Sequence, residues 1–102
     1  MREPETCENM AQLRVCIDAL DAEIVTKLAK RAQYIDRAAQ LKPGEGLPAR
    51  ITPRVEEVVA NVRREATGQG LDADLVETLW RQLIDWSIAR EEDVLGPDAP
   101  QK

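Results

Sequence analysis

From Asn9 to Lys42 the chain runs without a glycine or a proline. Along that run Met10, Leu13, Ile17, Leu20, Ile24 and Leu28 recur at intervals of three and four, and Ile35 and Ala38 continue the row beyond Arg31. Alternating threes and fours trace one face of a helix, so the run predicts a single long amphipathic helix. Such a helix is roughly 50 Å long, whereas a compact monomer of this size is on the order of 35 Å across. A monomer would leave the apolar stripe in water. Two copies that pair their long helices bury it, and a homodimer is the expected assembly.

The rest of the chain reads as two further helices. Pro43-Gly44-Glu45-Gly46-Leu47-Pro48 is expected to end the first helix and form a loop. Thr52 is expected to cap a second, with Pro53 at its first position and Val55, Val58, Val59, Val62 and Ala66 as its apolar face. Gly68-Gln69-Gly70 stops it. Asp72 caps a third, whose buried side is expected to carry Leu75, Val76, Leu79, Trp80, Leu83, Ile84 and Ile88. After Leu95 a Gly- and Pro-rich tail is expected to fray. The reading is an all-α, three-helix protomer, a single domain over 1–102 with an ordered core of about 7–95 and no internal repeat.

Composition removes several chemistries. There is no histidine, so His-dependent triads and His-containing zinc sites are out of reach. Two cysteines, Cys7 and Cys16, are too few to hold a structural zinc. Nine apart in a stretch expected to be helical, they read as idle thiols. The start carries no apolar targeting segment and nowhere do eighteen apolar residues run together, which fits a cytoplasmic protein with no membrane partner. A net charge of −5 disfavours nucleic acid, whose phosphates it repels on average.

Two cations fall inside the apolar stripe. Leu13, Leu20, Ile24, Arg31, Ile35, Ala38 and Lys42 lie within about 40° of one line at about 100° per residue. A buried cation needs an anion. That anion is either a structural Glu or Asp or an anionic ligand. Arg14 lies about 25 Å along the helix from Arg31, so one helix cannot bring both to a small ligand, but an antiparallel partner can. Arg54, at the start of the second helix, is a further candidate, or an ordinary solvated arginine. On the third helix Trp80, Ile84, Ser87 and Glu91 share a face. Glu91 is either buried there or a solvated acid beside Glu92 and Asp93. Burial would oppose its charge and neighbouring cations would favour it.

The ordered set Arg14, Ile17-Asp18, Asp21, Ile24, Arg31, Lys42, Arg54, Leu71-Asp72, Ser87 and Glu91 resembles the all-helical AroQ class of chorismate mutases and the related isochorismate pyruvate lyases. The resemblance spans about Cys7 to Leu95 and implies an intertwined homodimer with two sites. It implies that Arg14 is donated by the partner chain and Arg31 clamps a substrate carboxylate. Lys42 and Glu91 would reach the ether oxygen, while Arg54 and Ser87 line the site. The implied substrate is a small dianion, and no cofactor or metal is implied.

Chorismate rearranges to prephenate without nucleophile, metal or general base. Catalysis needs only a folded substrate and fixed donors at the oxygen that gains charge. Glu91 stands where bacterial members usually have glutamine, and it donates a hydrogen bond only when protonated. Activity is therefore expected to decline as pH rises. Val55 and Ile51 replace acids common in bacterial mutases, and these losses, the Pro4-Glu5-x-Cys7 start and Trp86 look more like the lyases, which make salicylate and pyruvate from isochorismate. A non-catalytic helical dimer, with Arg31 and Lys42 in structural ion pairs, is the reading from another class.

Overall fold

A computed structural model describes residues 2–96. In chain order they form a short 3-10 turn, Pro4–Thr6, and three helices: α1 (Met10–Glu45), α2 (Thr52–Gly68) and α3 (Ala73–Leu95). The described residues contain no strand, as the all-α reading expects. They divide into two compact units, one ending at Tyr34 and one beginning at Ile35. The expected frayed tail lies, from Pro97 onward, outside the described residues.

In the first unit α1 starts with reciprocal side-chain caps. Asn9 Oδ1 accepts from the Gln12 backbone N–H at 2.9 Å, and Gln12 Oε1 accepts from that of Glu8 at 2.9 Å. The apolar stripe is largely exposed: Ile17 and Leu20 are 46% exposed and Ile24 54%.

In the second unit α1 does not stop where the breaker run begins. It continues through Pro43 and Gly44 to Glu45. Pro43 forgoes one hydrogen bond to the preceding turn, and the helix closes three residues later. Gly46 takes φ 67°, its N–H donates to Pro43 O at 3.2 Å, and Leu47 N–H donates to Lys42 O at 3.0 Å. That is a Schellman closure, which needs a left-handed residue and finds it at Gly46. The same closure ends α2, with Gly70 at φ 73° and Leu71 N–H on Ala66 O at 2.8 Å.

The expected Thr52 cap is not formed. Ile51 is the N-cap, in extended conformation and without a side-chain hydrogen bond, and Pro53 moves to the second position. Asp72 does cap α3, accepting from Asp74 N–H at 2.9 Å. Helices α2 and α3 pack around Ala49, Val59, Ile84 and Ile88, with Val55, Val58, Trp80 and Leu95 closing the rim. Two leucines expected in that core point outward instead: Leu75 is 47% exposed and Leu79 50%. Arg81 ties the two helices on the outside, bridging Glu77 at 2.7 Å and Glu56 at 3.0 Å. No described helix is long and apolar enough to cross a membrane.

Candidate active site

The second unit buries two polar side chains on one face of α3, Ser87 at 3% exposure and Glu91 at 4%. They stand one turn apart, beyond the buried Ile84, on the face that the spacing from Trp80 marks out. Glu91 therefore points inward and is not a solvated acid of the helix end. Opposite it, the last turn of α1 supplies Lys42, whose Nζ lies 2.6 Å from Glu91 Oε1 and donates to Ala49 O at 2.7 Å.

The two contacts of Lys42 differ in kind. The ammonium has an aligned hydrogen bond to the Ala49 carbonyl. It approaches Glu91 Oε1 closely but off the line of a hydrogen bond, so that buried oxygen is left without an aligned donor among the described residues. An acceptor in that condition can take one more hydrogen bond, or give one if the carboxyl carries a proton. Ser87 is held by its own helix, its hydroxyl donating to Leu83 O at 2.8 Å.

Of the other residues marked by the sequence, Arg54 is not brought to this pair. It is exposed and pairs with Glu57 one turn on, at 2.6 Å. Arg14 and Arg31 both lie on α1 within the first unit, Arg14 exposed and Arg31 half-buried and partnered. Among the described residues no three His, Cys, Asp or Glu side chains lie together as metal ligands would.

Sequence reasoning missed the clamp beside the pair. Arg90, next to Glu91, grips Asp36 of α1 with two hydrogen bonds, the longer at 3.0 Å. Its guanidinium also stands 5.4 Å from the centre of the Trp86 ring. The bonds to Arg90 hold the Asp36 carboxyl below the usual carboxylate range. These partners are 54 residues apart, and only their opposite charges one position outside the site could have hinted at it. Nor does the sequence reveal Ala49, whose contribution is a backbone carbonyl.

A half-buried ammonium and a buried carboxyl meeting at one point can hold an anion's oxygen and supply charge or a proton to it. They make no activated nucleophile. A family model described as chorismate mutase type II matches residues 13–92. Isochorismate pyruvate lyase of Pseudomonas aeruginosa is 38% identical over 92 residues, which are 89% of each chain. The T-proteins of Enterobacter agglomerans and Haemophilus influenzae are 31% and 33% identical over 84 residues, and this chain spans only 22% of their length.

Proposed function

This chain belongs to the chorismate mutase type II family, and from that premise we propose that it rearranges chorismate to prephenate in a cationic pocket. The observation that carries the reading is the buried meeting of Lys42 and Glu91 within the matched region. In the reaction the ether C–O bond breaks and its oxygen gains negative charge. Lys42 supports that charge, and Glu91 in its protonated form donates to the same oxygen. Arg31 and Ser87 hold one carboxylate of the dianion and Arg54 lines the entrance, having exchanged Glu57 for substrate. Arg14 comes from a second copy of the chain. These placements follow the family resemblance, and they agree with a reaction that asks for fixed charge and no nucleophile.

The exposed α1 stripe supports the dimer that this site requires. Cleavage of isochorismate to salicylate and pyruvate is the second reading, favoured by the 38% identity to a lyase along nearly the whole chain. The cytoplasm, where such small-molecule chemistry is carried out, is the proposed location.

The test gives the purified protein chorismate and isochorismate in separate assays and identifies the products. Prephenate from chorismate is expected. Salicylate alone would move the assignment to the lyase, and no turnover of either would return the chain to a non-catalytic helical dimer.

A further inference from the structure

The first unit holds chemistry that the proposed reaction leaves unused. Cys7 and Cys16 are the only cysteines of the sequence, and both are half-buried and unbridged. They do not lie on one continuous helix, as their spacing suggested. Cys7 closes the 3-10 turn in an extended conformation, φ −74° and ψ 126°, whereas α1 begins only at Met10. The arm that carries Cys7 has a defined shape. Its N–H donates to Pro4 O at 3.1 Å, and Arg2 reaches over to Thr6 O at 3.0 Å.

That shape turns the arm back along α1. A single cleft is lined by Arg2 and Cys7 from the arm and by Leu13, Cys16, Ile17 and Leu20 from α1. Within it both thiols line the same wall space, the Cys7 thiol donating weakly to Glu3 O at 3.9 Å.

We propose that Cys7 and Cys16 form an oxidisable dithiol that closes to an intrachain disulfide, stapling the N-terminal arm to α1, when the protein meets a small-molecule disulfide such as oxidised glutathione. One cysteine thiolate attacks a sulfur of the oxidant, forming a mixed disulfide and expelling one glutathione thiolate. The second cysteine attacks the protein-side sulfur and expels the other glutathione. The protein loses two protons and two electrons, and the oxidant takes up both to become two thiols. The short loop favours the intrachain bond over one between chains, because the second thiol is already in place.

Burial and the adjoining Cys16 thiol push the Cys7 thiol up, against a smaller opposing pull from Arg2. With Arg2, Glu3 and Cys16 around it, Cys7 is expected to react faster in mild alkali than at neutrality.

The test incubates the intact protein with oxidised glutathione, blocks remaining thiols and digests with trypsin. Trypsin cuts after Arg14, between the two cysteines. The expected product is the peptide carrying Cys7 joined to the peptide carrying Cys16, lighter by two hydrogens than the pair and split by reductant. On a non-reducing gel the oxidised chain is expected to run as a monomer. Cys16→Ser is expected to abolish the joined species and leave Cys7 with one glutathione. Two blocked thiols, glutathione on both cysteines of the wild type, or a bridge between chains would each overturn the proposal.

Discussion

Removing the Lys42 ammonium while leaving Glu91 in place strands a carboxylate whose side chain is only 5% exposed. Breaking one half of a buried pair costs about 3–5 kcal/mol, whereas replacing both halves by apolar groups is often near neutral. Lys42→Met is therefore expected to lower unfolding free energy by about 3 kcal/mol, and Lys42→Met with Glu91→Leu to recover most of it. Urea titrations followed by circular dichroism measure both. Activity is expected to be lost in both variants, which separates the pair's chemical role from its structural one. A double variant as unstable as the single would show that the pair contributes more than mutual neutralisation. The sequence offered the inward aim of Glu91 as one of two readings, since it continues Trp80, Ile84 and Ser87 along one helical face, and its 4% exposure decides between them. Its contact with Lys42 was not legible, because that depends on how the end of α1 packs on α3, which the Asp36–Arg90 clamp helps to fix.

At the level of elements, periodicity located all three helices, and the closures decided where they stop. Pro43 looked like the end of α1, yet a proline in the last turn costs one hydrogen bond while the Schellman closure at Gly46 satisfies two carbonyls. Thr52 looked like a cap, but Ile51 precedes it in extended conformation and the hydroxyl makes no cap bond. Leu75 and Leu79 have the right spacing for a core, and no described helix covers them. The two glycines at the end of α1 are expected to respond oppositely to alanine. Gly46 holds φ 67°, so Gly46→Ala is expected to destabilise by about 1 kcal/mol. Gly44 is helical, with nothing within 4 Å of an added Cβ, and Gly44→Ala is expected to stabilise by about 0.5 kcal/mol. Urea midpoints of the two variants check the signs, and Gly46→Ala should also disturb Lys42, whose carbonyl anchors the closure.

For the molecule as a whole, charge sets the acid limit, and the proposed dimer rests on the exposed α1 stripe. The carboxyls of Asp36, Glu56 and Glu77 are held below their ordinary range, chiefly by hydrogen bonds from Arg90 for the first and Arg81 for the other two. A folded-state value below the unfolded one gives stability that is complete above the unfolded range and is lost as pH falls through the folded one. Melting temperature is expected to be level from neutrality to about pH 5 and to fall below it. Arg81→Gln should weaken that fall, and melting curves across pH measure both.

The assembly prediction follows from the placement of the two α1 arginines. Burying Ile17, Leu20 and Ile24 against a second copy is worth roughly 1–2 kcal/mol for each side chain. Leu20→Glu is expected to place a charge on that stripe, shift the protein towards monomer in sedimentation and abolish turnover together. A site built from Arg14 of one chain and Arg31 of the other makes a sharper demand. Arg14→Ala and Arg31→Ala homodimers each lack one of the two arginines in every site. When equal amounts are unfolded together and refolded, half the dimers are mixed, and each mixed dimer has one site with both arginines intact. About one quarter of wild-type activity is expected to return. No recovery, with mixed dimers confirmed by mass, would place Arg14 and Arg31 in sites of a single chain or outside the site altogether.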